Sequence, residues 1–101
     1  MEVCPTEVIQ APAERVWRLL LDPRELAQWS GTKLVQGPPR PARTGDVLVL
    51  GGAGMHIRFE VLDAQPPHSA RLHVRLPFGV VNHEHMQITP LGSSTCRVTF
   101  N

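Results

Sequence analysis

The sequence has no tyrosine, only two cysteines and no excess of either charge. Ten Lys and Arg stand against nine Asp and Glu, for a net charge of +1. A protein that neutralises phosphates carries a basic excess, so a nucleic-acid partner is not expected. An acidic disordered tail is equally absent. No apolar run approaches the ~18 residues that cross a bilayer, so no membrane span is expected. No charged segment followed by an apolar one opens the chain, and no signal peptide is read. Cys4 and Cys96 are therefore expected to be free thiols in a reducing, cytoplasmic setting. There is no internal repeat and no low-complexity tract. No serine sits in a G-x-S-x-G elbow and no Cys–His pair is local, so nucleophilic catalysis has no support. Gly51–Gly54 lacks the lysine and the strand-to-helix context of a phosphate loop and reads as a hairpin turn.

What is present is one domain's worth of chain, 101 residues of which 42% are hydrophobic. The 10 prolines and 8 glycines fall mostly between apolar stretches, where they mark turns rather than disorder. Residues 2–10 favour a strand through Val3, Thr6, Val8 and Ile9, with Pro5 suggesting an edge or a bulge. Pro12 suits the first position of a helix whose apolar face is Ala13, Val16, Trp17 and Leu20. Asp22-Pro23 ends that helix and starts another. Asp22 is its expected cap, Glu25 completes a capping-box-like arrangement, Leu26 and Trp29 form the apolar side, and Ser30-Gly31 is the stop.

From Thr32 onward the period changes to two. Strands are expected at Lys33–Gln36, Asp46–Leu50, Met55–Asp63, Arg71–Leu76, Val80–Thr89 and Thr95–Phe100. Ile57, Phe59 and Val61 alternate with His56, Arg58 and Glu60. Leu72, Val74 and Leu76 alternate with Arg71, His73 and Arg75. Tight turns between successive strands predict an antiparallel meander with one apolar face, in an α+β domain.

These elements, in this order, resemble the START-like or Bet v 1-like (SRPBCC) superfamily, and within it the polyketide cyclase/dehydrase group. The resemblance is carried by Val8–Trp17, Leu21–Ser30, Thr44-Gly45-Asp46, Glu60–Pro67 and Thr95–Thr99, and it spans essentially the whole chain. It implies a helix-grip fold. In that fold a curved seven-stranded antiparallel sheet wraps a long C-terminal helix, and two short helices close one end. The cavity between sheet and helix takes lipids, sterols or polyketides. The sequence ends at Asn101, after the seventh strand, and the long helix is not in it. We therefore expect residues 1–101 to be a single, C-terminally truncated domain. A second copy or another chain covering the apolar sheet face, and a sheet collapsed onto the two short helices, are the other readings.

Within that resemblance, Trp17, Leu20, Trp29, Phe59, Val61, Val74, Glu84 and Met86 are candidates to line a ligand cavity. The tryptophans also fit a plain core role. Asn82, Glu84, Met86 and Ile88 share a strand face, so Glu84 is the candidate acid or base in an apolar setting. It has a competing role as the partner of Arg58 or Arg75. His83-x-His85 projects two imidazoles from one strand face, with His73 and His56 on the polar sides of neighbouring strands. No cysteine or carboxylate at matching spacing completes a zinc set, and a solvated outer face accounts for these histidines as well. No cofactor is expected. Three functions follow. One is binding of a small hydrophobic ligand. A second is a polyketide cyclase- or dehydratase-like enzyme using Glu84 or a histidine. The third is a protein-interaction module, homodimeric or otherwise, using the uncovered sheet face.

Overall fold

In the computed structural model, which describes residues 6–100, the strand–helix–helix–strand order read from the sequence is present. β1 (Thr6–Ile9) leads into α1 (Ala13–Leu21) and α2 (Pro23–Ser30). Then follow β2 (Lys33–Gln36), β3 (Val47–Gly52), β4 (Met55–Gln65), β5 (Ser69–Arg75), β6 (Val81–Pro90) and β7 (Cys96–Phe100). A single 3₁₀ turn, Pro77–Gly79, separates β5 from β6. The strands form one antiparallel seven-stranded sheet in the order β1-β7-β6-β5-β4-β3-β2. β1 and β2 are thus opposite edges, and the helix pair bridges from one to the other. This is the α+β helix-grip arrangement. Val3, Cys4 and Pro5 lie outside the described residues.

The junction between the helices shows how local chemistry sets their angle. Asp22 N–H donates to Arg18 O at 2.9 Å, closing α1, while Asp22 Oδ1 accepts from Arg24 N–H at 3.0 Å, opening α2. Pro23 takes the first helical position, where its missing N–H costs nothing. The expected reciprocal bond from Glu25 does not form. The Asp22 N–H is already spent on α1, and Glu25 pairs instead with Arg15 across the helix junction. Gly31, at φ 72°, ends α2 in the left-handed conformation that glycine adopts at least cost. Asp22 is almost fully buried. Burial raises its pKa, but the Arg24 side chain and backbone N–H bonds outweigh that and hold the carboxyl below its ordinary value.

The sheet register sorts the side chains onto two faces. On the concave face Leu48, Phe59 and Val74 lie side by side across β3, β4 and β5. Val61, Leu72 and Glu84 form the next row, and Ala64, Ala70, Met86 and Phe100 the one after. Val16, Trp17 and Leu21 of α1 and Leu26 and Ala27 of α2 pack with this face to make the core. Cys96 is a free thiol inside it, and burial pushes its pKa up. One detail departs from strict alternation. The β4–β5 register shifts between Val61 and Asp63, leaving Leu62 as an extra, outward and half-exposed residue, so that Ala64, which strict alternation would turn outward, returns to the core. The strand expected to start at Asp46 begins one residue later. Asp46 instead closes a turn, accepting from Arg43 N–H at 2.8 Å and from Arg40 at 2.7 Å.

Candidate functional site

The concave face is not fully filled. A groove of about 480 Å³ remains between the helices and the middle strands. Its floor is Leu48, Val61 and Met86, each at most 3% exposed. Leu20, Leu21, Leu26 and Trp29 close the helical side, and Phe59, Leu72, Val74 and Phe100 rise along the sheet. A second apolar groove of about 540 Å³ adjoins it between α1 and the β1–β7 edge, where Ile9, Val16 and Val98 contribute. Leu20, Trp29 and Phe100 line both and form the boundary between them.

Of the sequence candidates, Leu20, Trp29, Phe59, Val61, Val74, Glu84 and Met86 lie on the wall of the first groove. Trp17 does not. It is 4% exposed and packed in the core, because its position on α1 aims the indole at the sheet beneath the helix rather than along the groove. Trp29 behaves in the opposite way. It is 56% exposed, and its indole N–H is satisfied by Leu19 O at 2.6 Å, which fixes the ring between the two grooves. A core role fits Trp17 and not Trp29. Leu72 and Phe100, absent from the candidate set, were visible in the apolar alternation of their strands. Ala42 also lines the groove, but it sits in the proline-rich loop, where no periodicity signals it.

Glu84 is the one charged residue on this wall. It is half-buried, in register with Leu72, and no side chain among the described residues hydrogen-bonds or ion-pairs with it. The arginines weighed as its partners are on the other face. Arg75 Nε and Arg58 Nε donate to Glu60 at 2.9 and 3.1 Å, because residues 58, 60 and 75 share the convex side of the pleat. The Arg75 bond foremost, helped by that from Arg58 against a smaller cost of desolvation, holds Glu60 below its ordinary pKa. An unpaired carboxylate on an apolar wall can accept a hydrogen bond from a bound hydroxyl or exchange a proton with it. No group of three or more His, Cys, Asp or Glu residues is arranged around a common point among the described residues. No helix among them is long and apolar enough to cross a membrane.

Seven strands gripping two helices, with an apolar groove on the concave face, define a helix-grip protein. Residues 2–101 match the family described as polyketide cyclase / dehydrase and lipid transport, and the chain belongs to that family. No curated protein matches the chain. Among solved structures, it is similar to DynU16 of the dynemicin biosynthetic locus, with 24% identity and a TM-score of 0.72, covering 98% of this chain and 36% of that one. It is also similar to CalU16 of Micromonospora echinospora, with 17% identity and a TM-score of 0.71, covering 96% of this chain and 57% of that one. PFC0360w, an HSP90 activator from Plasmodium falciparum, has 14% identity and a TM-score of 0.77, with 97% of this chain and 69% of that one covered. The chain thus spans about a third of DynU16 and just over half of CalU16. These likenesses establish the fold.

Proposed function

We propose that the protein holds a small hydrophobic molecule, of lipid or polyketide character, in the concave groove. The observation that carries this is the groove itself. Its volume falls within the roughly 300–1,000 Å³ usual for small-molecule sites, its walls are aliphatic and aromatic, and it has a single polar anchor, Glu84. Apolar area supplies affinity in such a site, and the carboxylate orients a ligand hydroxyl. Trp29 gives the ligand a flat, fixed surface to stack against. The family description, which includes lipid transport, supports the same reading.

The test is native mass spectrometry of protein purified from its own host, joined to fluorescence titration with an anilinonaphthalene sulfonate probe. The expected result is a retained small molecule, with energy transfer from Trp29 to the probe that a Val74→Arg substitution abolishes. Probe binding unaffected by Val74→Arg would place the ligand elsewhere.

A second reading rests on the same unpaired carboxylate. In a cyclase- or dehydratase-like reaction, Glu84 would take a proton from a carbon beside a ketone and return it to the departing hydroxyl, so that water leaves. Glu84→Gln separates the two functions. Binding retained with turnover of a model β-hydroxyketone lost favours the enzyme, whereas binding retained with no turnover by either protein favours the container. Stable dimers whose formation shields Trp29 from an aqueous quencher would favour the interaction reading instead.

A further inference from the structure

The convex face of the sheet carries a feature the groove does not use. His73 on β5 and His83 on β6 are direct cross-strand partners, and their rings stand edge to face with centroids 4.3 Å apart. We propose that this pair is a two-point site for a borderline divalent cation of the Cu²⁺, Ni²⁺ or Zn²⁺ class.

Three observations support the assignment. The first is geometric. Two nitrogens bound to one ion at ~2.0–2.1 Å are about 3.3 Å apart. The two rings stand on directly paired strands with centroids 4.3 Å apart, within range of one shared ion after side-chain rotation. The second is availability. Neither imidazole has a hydrogen-bond or ion-pair partner among the described residues, so the ring nitrogens are not committed to another group. The third is selectivity. The carboxylate beside the pair, Glu60, lies in register with His73 but is held by Arg58 and Arg75. Glu84 also borders the cleft in which the pair lies but belongs by register to the concave row with Leu72, so the convex-face donors are imidazoles, which suit copper, nickel and zinc rather than magnesium or calcium.

The site lies in a shallow cleft of about 300 Å³ that also includes Leu62, Arg71, Leu72, Glu84 and His85. His85 is two residues along the same face and stands opposite Arg71 in the next row. The donor count around one point therefore stops at two, and water would fill the remaining positions. Arg71 opposes a bare cation, so affinity is expected below that of a closed structural zinc site. Cation binding would tie β5 to β6 and stabilise the folded chain in proportion to occupancy.

The experiment is calorimetric titration of tag-free protein with copper, nickel and zinc chlorides, with electron paramagnetic resonance on the copper complex. The expected result is one ion per chain and a two-nitrogen signature. Affinity should fall by more than about tenfold, the lower end of what loss of an outer-shell partner alone costs, in His73→Gln and in His83→Gln, and the melting temperature of the wild type alone should rise with added metal. His56→Gln, toward the far end of β4 and paired with Gly51, should bind as the wild type does. All of these substitutions are on the convex surface, so folding is not the readout. Absence of binding, or binding that survives His73→Gln/His83→Gln, would overturn the proposal.

Discussion

The two faces of the sheet are built from the same strands yet obey different physics. The concave face gathers Leu48, Phe59, Val61, Val74 and Met86, and its stability comes from apolar area removed from water. The convex face gathers Arg58, Glu60, Arg71, His73, Arg75 and His83, and its ion pairs are half exposed and screened. The difference teaches where stability and where recognition reside. Losing a concave side chain opens a cavity, whereas losing a convex one exchanges a weak pair for water.

The comparison breaks most directly with large-to-small substitutions. Trp17→Ala and Met86→Ala should each cost about 3–5 kcal/mol in denaturant unfolding, whereas Arg75→Ala should stay within about 0.5 kcal/mol. Equal costs on the two faces would contradict the division. Next in size is the helix junction. Asp22→Ala removes the cap of α2 and should cost about 1–2 kcal/mol, with Asp22→Asn recovering most of the loss, both read from shifts of the unfolding midpoint.

Acid should act on the same polar contacts. Asp22, Asp46 and Glu60 all have folded pKa values below the ordinary 3.8 and 4.5. For Asp46 the Arg40 bond leads, followed by the Arg43 N–H. A depressed carboxyl pKa contributes stability that is complete above the unfolded value and lost as pH falls through the folded one. Stability should therefore hold at and above about pH 5 and decline below about pH 4. A pH series in urea on wild type and Asp22→Asn/Asp46→Asn checks this, since the variant should show the shallower acid limb. Trp29→Ala should also have a small effect on stability. Its ring is mostly exposed, so the melting temperature should shift by no more than a few degrees while probe affinity in the groove falls.

Much of the fold was legible because period and punctuation agreed. The change from a 3.6 to a 2.0 repeat after Thr32, and Asp22-Pro23 between two apolar helical faces, located nearly every element to within a residue or two. The face assignment of Phe59, Val61, Leu72, Val74 and Glu84 followed from alternation alone. What escaped depended on tertiary geometry. Glu25 turned to Arg15 because the Asp22 N–H was already taken, which no spacing rule encodes. The return of Ala64 to the core required a bulge at Leu62 in β4. Trp17 and Trp29 share helical periodicity with aliphatic neighbours, and only the packing of α1 and α2 on the sheet makes one core and the other groove wall. The pairing of His73 with His83 needed the β5–β6 register, whereas His83-x-His85 was visible from spacing.

The central claim is that ligand recognition belongs to the concave face. Chemical-shift mapping of the backbone amides and methyl groups during titration with an anilinonaphthalene sulfonate probe tests it most directly. The account predicts shifts concentrated on Leu20, Phe59, Val61, Val74 and Met86, a moving Trp29 indole signal, and quiet resonances at Arg58, Arg71 and Arg75. Shifts centred on the convex arginines, or spread evenly over both faces, would contradict it.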